Sequence, residues 1–247
     1  MKLRALTRGG TIAAAFVGAA TLLGFHLVGA FVLLAFFLPS IALSKLPHPH
    51  PERLRDIDKQ GARDAWQVAA NGGVAGAAGA LAFFIPQAHM FAAAAFVGAF
   101  AAAAADTWGT EIGTRFGENV RSILTFRTDA GGLSGGVTTL GTLAEIAGAL
   151  VVAASAALFA LAPLAAGAIG GIVGAFADSY LGASVQERRY CESCARACES
   201  DPHACGAPTL RVRGIRGFRN DAVNFSATIV GALTSAAIVA FGARYFP

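Results

Sequence analysis

Sixteen consecutive residues, from Met90 to Ala105, carry no polar side chain. A soluble fold has little use for such a run, because only a bilayer or a large core hides an apolar stretch of this length, and a bilayer crossing takes roughly 20 apolar residues. The run is one of several. Candidate spans fall at 11–25, 27–44, 67–85, 89–112, 134–161, 163–186 and 222–244, with residues 11–43 divided near Gly24–His26 because they are too long for one helix. Only 14% of the chain is charged and mean hydropathy is +0.58, whereas a soluble domain keeps roughly 25% charged residues to cover its surface. The expectation is an all-α polytopic membrane protein of about seven transmembrane helices, forming a single membrane domain over 1–247.

Charge placement orients these spans. Of 19 Lys and Arg, 18 fall at the N-terminus (Lys2, Arg4, Arg8) or in 45–65, 113–133 and 187–220. With seven spans, all these segments share one side, which the excess of basic residues makes cytoplasmic. The other side receives short turns such as "IPQAH" (85–89) and "LAPL" (161–164). The N-terminus is then cytoplasmic and the C-terminus outside. The start "MKLRALTRGG" has the charge of a signal peptide, but no small-residue cleavage site precedes a soluble region. The net charge of +4 comes from these loops and suits anionic headgroups or phosphorylated substrates. No basic stripe interleaved with aromatics argues for nucleic acid.

Within the spans, Gly72/Gly76, Gly167/Gly171 and Gly170/Gly174 stand at the small-xxx-small spacing that lets helix backbones approach. A second pattern is an internal echo. "ADTW" (105–108) recurs as "ADSY" (177–180), each after a Gly-Ala-Phe, at 98–100 and 174–176. Asp106 lies nine residues before Arg115, and Asp178 ten before Arg188, so both sit about 13–15 Å from those charges along a helix. The hairpins 67–112 and 134–186 read as a parallel repeat facing one site.

Asp106, Glu111, Glu145 and Asp178 fall in or beside the spans. An Asp at a membrane helix centre costs about 2.5–3.5 kcal/mol on insertion scales, so such groups usually face a polar cavity and carry function. Carboxylates flanked by Thr107 and Ser179 are hard oxygen donors suited to Mg²⁺ bound to phosphates. The competing interpretation is an Asp–Arg pair, or an acid bonded to a neighbouring helix. Five helical residues turn about 500°, placing Asp106 and Glu111 about 140° apart, so Asp178 ranks above Glu111 as the partner of Asp106.

Arg127 opens the stretch "FRTDAGGLSGGVTTLGT" (126–142), a glycine-rich loop before a span. Backbone N–H groups of such loops meet anions. No Walker A pattern occurs. "RNDAVN" (219–224) begins the last span, with Asn220 or Asp221 as natural N-caps, and Asn71 is a polar group early in another.

All four cysteines lie in "YCESCARACESDPHACG" (190–206). A cytoplasmic position argues against disulfides. Cys191, Cys194, Cys198, His203 and Cys205 compete for the four places of a tetrahedral Zn²⁺ site; a redox C-x-x-C is the second interpretation. A closed zinc site in the loop 187–220, ahead of the last helix, would be scaffold.

Together "ARDAWQVAANGG", "AADTWGTEIG", "GGLSGGVTTLGT", "FADSYLGASVQ" and "FRNDAVN", spread over 62–224, resemble one integral-membrane family. It includes plant phytyl-phosphate kinases and transmembrane protein nineteen of animals, and it was long filed as a domain of unknown function. Its bacterial members resemble this chain further in a C-x-x-C…H-x-C-G loop. That pattern implies Cys191, Cys194, His203 and Cys205 as zinc ligands, with Cys198 an extra. Ser134 stands where the resemblance leads one to expect Asn, and Phe218-Arg219 replaces a usual Trp-Leu or similar pair.

The resemblance implies transfer of a phosphoryl group from a nucleoside triphosphate to an isoprenyl monophosphate, giving the diphosphate at the cytoplasmic membrane face. Asp106 and Asp178 would hold Mg²⁺, and Glu111 and Arg127 would join the catalytic set. Asn71, Gly135, Gly136, Gln186, Asn220, Asp221 and Asn224 would meet substrate or nucleotide. A membrane transporter or lipid translocator is the alternative, and a non-catalytic lipid-binding protein is the third reading. A transporter would set polar groups on a path to the outer face, often in an inverted repeat. Here they crowd one side and the echo is parallel.

Overall fold

The computed structural model describes residues 5–49, 61–128 and 133–245. The basic residues Lys2, Arg4, Arg53, Arg55 and Lys59, and positions 129–132 of the glycine-rich stretch, lie outside the described residues. Six helices dominate: α1 (Arg8–Ser44), α2 (Ala65–Phe84), α3 (His89–Phe116), α4 (Thr139–Ala157), α5 (Leu164–Ser184) and α6 (Asn220–Tyr245). All six are long and apolar enough to cross a bilayer. Six helices are described where about seven spans are expected, because the two expected N-terminal spans share α1. At 37 residues a straight α1 would run about 55 Å, nearly twice the hydrocarbon thickness. It is not straight: His26 leaves helical geometry at φ 53°, ψ −146°.

Contacts of the two arms of α1 show what that break does. The first arm follows α2, with Thr7 N–H donating to the Arg63 carbonyl, Val17 against Gly72 and Gly76, and Gly24 against Gly79. The second follows α3, from Phe25 on His89, through Phe36 stacked on Phe100, to Leu46, whose carbonyl accepts from Arg115. Ile85 and a single 3₁₀ turn, Pro86–Ala88, are all that join α2 to α3.

α3 is the central helix and packs against α1, α2, α4, α5 and α6. Residues 92–105 are buried at every position but Ala95. Alanine and glycine make this possible, since helices in lipid gain stability by close packing rather than by a hydrophobic difference. α3 approaches α6 closely. A Cβ on Gly98 would stand 2.3 Å from the Gly231 carbonyl oxygen, and one on Gly231 would stand 2.6 Å from the Gly98 oxygen. On the α5 face, Gly167 meets Val97, Gly171 meets Ala101, and Gly174 meets Ala102. That near-constant offset makes α3 and α5 parallel neighbours and brings Asp106 level with Asp178, as the echo leads one to expect.

The remaining elements gather at one end of the bundle. Strands β1 (Arg121–Ser122) and β2 (Gly136–Val137) pair antiparallel. A three-stranded antiparallel sheet follows α5, with β3 (Arg188–Cys191) between β4 (Arg196–Cys198) and β5 (Leu210–Arg213).

Candidate functional site: a carboxylate-lined cavity and a Cys/His knuckle

A cavity of about 630 Å³ opens where α2, α4 and α6 begin and α3 and α5 end. Three membrane helices each contribute an acid: Asp106 from α3, Glu145 from α4 and Asp178 from α5. Among the described residues, Glu111 and Glu199 also line it, as do the cations Lys45, Arg63 and Arg115. Asp178, 9% exposed, feels the charges of Asp106, Glu145 and Glu199. Asp106 lies close enough to Glu111 and Arg63 for their charges to interact. Glycine makes room for the third acid, because a Cβ on Gly109 would stand 2.5 Å from Glu145 Cγ.

The polar wall follows from helix starts. Asp64 caps α2 in a reciprocal box, accepting from Gln67 N–H at 2.9 Å while Gln67 Oε1 accepts from Asp64 N–H at 3.0 Å. Asn71, one turn further on, donates to the Gln67 carbonyl at 2.9 Å and lines the cavity. On α6, with its amide turned so that nitrogen faces the acceptors, Asn224 donates to Asp178 Oδ2 at 3.0 Å and to the Asn220 carbonyl at 3.1 Å.

The residues singled out from the sequence divide accordingly. Asp106, Glu111, Asp178, Asn71, Gly135, Gly136, Asn220 and Asn224 all line the cavity. Glu111 is already engaged, since its carboxylate and carbonyl both accept from Arg115 Nη1, one turn along α3. Arg127 is exposed and does not line the cavity, and neither do Asp221 and Gln186. Gln186 is 2% exposed and sits beneath the glycine-rich loop. Its Oε1 and the Gly135 nitrogen both lie 3.3 Å from where a Cβ on Gly182 would stand.

That loop is more occupied than a simple anion cradle. Ser134 N–H donates to Glu199 Oε1 at 2.7 Å, and Gly136 N–H donates to the Leu133 carbonyl at 3.3 Å. Gly135, at φ +89° with Ala183 against its Cα, seats the turn on α5. Nor does the loop itself cap α4; Thr138 does, accepting from Gly141 N–H at 3.0 Å. Sequence reasoning missed Arg63 and Glu199, and did not place Glu145 in the ranked set.

Beyond the cavity, Cys191, Cys194, His203 and Cys205 bring one ligand atom each within 4.8 Å of one another. The Cys191–Cys205 Sγ distance is 3.7 Å, near the roughly 3.8 Å edge of a tetrahedron with 2.3 Å Zn–S bonds and far from a disulfide. The four residues can hold a metal ion. His203 Nδ1, 3.1 Å from Cys205 Sγ, draws that thiol down to about 6, while Cys194, facing Cys205, is pushed up to about 11. Cys198 stays outside the group, buried with its thiol toward the Ser200 carbonyl.

The knuckle stands on its own footing. Arg189 donates to Asp201 Oδ2 at 2.7 Å and to the Thr209 carbonyl at 2.8 Å, and also pairs with Glu187. Glu187 is 3% exposed. Its carboxylate is held below the usual range, first by Gly217 N–H at 2.7 Å and then by the arginines.

Fold and site define a polytopic helical membrane protein with an acidic cavity at one end and a metal-ready knuckle beside it. Residues 1–232 match the family described as integral membrane protein DUF92. The chain belongs to that family and is an integral membrane protein. It is 29% identical over 236 residues to Protein PGR of Arabidopsis thaliana, covering 84% of this chain and 81% of that one. It is 30% identical over 159 residues to an uncharacterized membrane protein of Methanocaldococcus jannaschii, covering 64% and 65% of the two chains. No solved structure matches the chain.

Proposed function

We propose that this chain is a nucleotide-dependent kinase that phosphorylates an isoprenyl monophosphate at the cytoplasmic face of the membrane. The observation that carries this reading is the convergence of Asp106, Glu145 and Asp178, from three helices, on one cavity. Asp106, Glu145 and Asp178 repel one another in a poorly solvated site, and a divalent cation relieves that repulsion. Mg²⁺ held by these carboxylates would neutralise charge on the bound phosphates. An acceptor phosphate is largely ionised at pH 7, so transfer needs positioning and charge neutralisation rather than a general base. Asp106 and Asp178 hold Mg²⁺ here, with Asn224 orienting Asp178. Asn71, Asn220, Gly135, Gly136 and Arg63 face the phosphates, and the prenyl tail extends into lipid from a cavity at the membrane edge. Zn²⁺ fills the knuckle as a structural ion within one membrane domain. The basic loops put the N-terminus in the cytoplasm and the C-terminus outside.

The test is purified protein with prenyl monophosphates, nucleoside triphosphates and Mg²⁺, read by mass spectrometry. Diphosphate should form with Mg²⁺ and vanish with chelator, and Asp106→Asn should abolish it. Absence of any product across prenyl lengths and nucleotides, from folded protein, overturns the assignment.

A further inference from the structure

We propose that the metal-loaded knuckle seats the glycine-rich loop at the cavity mouth, with Glu199 and Arg188 as the positioning residues that transmit its state. The Ser134 peptide is gripped at both ends. Its N–H donates to Glu199 Oε1 at 2.7 Å, and its carbonyl accepts from Arg188 Nη2 at 2.8 Å. Both gripping residues belong to one hairpin: Arg188 opens β3, and Glu199 directly follows β4. That hairpin carries Cys191 at the end of β3 and Cys194 in its turn, while His203 and Cys205 lie in the segment after Glu199. Glu199 is thus bracketed along the chain by metal ligands, and a bound ion fixes its backbone from both sides.

The position of Glu199 explains why such a restraint is needed. It is 3% exposed and close enough to Asp178 for their charges to interact. Two like charges in a low-dielectric site push apart, and a strand tied on both sides of Glu199 helps to hold it there against that repulsion. The tie at the tip is separate from the tie at the base, where Arg189 spans Asp201, Glu187 and Thr209. Loss of the ion therefore loosens the hairpin turn and the 203–205 segment on either side of Glu199, while the base and the helices keep their packing. Through Ser134 and Gly135, both cavity-lining, the knuckle governs the geometry of the site. This last link to catalysis rests on the kinase reading; the coupling itself does not.

The coupling is read by hydrogen–deuterium exchange on the full chain in lipid nanodiscs, without nucleotide or substrate. Stripping metal with 1,10-phenanthroline should raise exchange at Ser134 about tenfold and leave α3 unchanged, while the non-chelating 1,7 isomer does nothing. Glu199→Ala should reproduce the rise with metal content intact by elemental analysis. Glu199→Gln, whose amide oxygen still accepts, should restore protection. Unchanged protection of Ser134 in stripped protein or in Glu199→Ala overturns the coupling, even where phosphoryl transfer is found. An exchange response in a protein that transfers no phosphate retains the coupling and rejects the reaction.

Discussion

Asp106 and Asp178 stand level on parallel helices, while Glu111 leans away onto Arg115. Substitutions should separate these roles. Asp178→Asn removes a charge at nearly constant shape and should abolish Mg²⁺-dependent transfer while unfolding within about 1–2 kcal/mol of wild type, because a buried anion loses its own desolvation cost. Glu111→Gln should reverse that pattern. It weakens the pairing of Arg115, itself 7% exposed, and should lower stability by roughly 1.5–3 kcal/mol with turnover largely kept. Transfer rates and thermal unfolding of both variants check this; an inactive, fully stable Glu111→Gln would return Glu111 to the chemistry. The E-x-x-x-R spacing that pairs Glu111 with Arg115 is visible in the sequence, as is the repeated Ala-Asp that marks the other two acids. Glu199 was not legible, since it reaches the cavity only because the β3–β4 hairpin folds back over the loop. Arg63 was hidden similarly: only the strand-like bridge between Leu6 and Arg63 and the cap of α2 at Asp64 bring it to the site.

At the scale of elements, the Gly98–Gly231 crossing is where α3 meets α6 with no side chain between. Gly98→Ala puts a methyl into backbone and should cost about 1–3 kcal/mol, seen as a lower Tm in detergent. Gly18→Ala, where nothing lies within 4 Å, should be near neutral or slightly stabilising by helix propensity. Equal Tm values would mean that the two helices part easily. A pH-dependent element is the knuckle base. Glu187 has a folded-state pKa below its unfolded value of about 4.3. Its contribution to stability is therefore full above that value and is lost as pH falls through it towards the folded pKa. Unfolding of the 187–219 region, followed by exchange, should become easier below about pH 4.3, and Glu187→Gln should flatten the response. The helices were legible because apolar length dictates them. The two small sheets were not, since strands of two to four residues carry no periodicity, and the three-stranded one is set by the cysteine group and by Arg189.

For the molecule as a whole, the number of crossings turns on one residue. Six helices and an N-terminus on the side opposite Pro49 would follow if α1 crossed the bilayer once. The contacts of α1 point elsewhere: its first arm keeps company with α2 from Arg63 to Gly79, and its second with α3 from His89 to Arg115. Because only four residues, Ile85 to Ala88, join α2 to α3, those helices run in opposite directions, and the arms must too. The chain then doubles back at His26, and both ends of α1 meet the same face as Arg121. Membrane-impermeant maleimide on intact cells tests this without removing the native cysteines, whose exposed members Cys194 and Cys205, stripped of metal by chelator, serve as an internal control for the inner face. Gln87→Cys should label from outside. Wild type, Pro49→Cys and an N-terminal epitope tag should all need permeabilised cells. A tag and Pro49→Cys found on opposite faces would make α1 a single crossing, and labelling of wild type from outside would invert the whole arrangement. Inversion would carry the acidic cavity away from cytosolic nucleotide, so this experiment bears on the proposed chemistry as directly as on the fold.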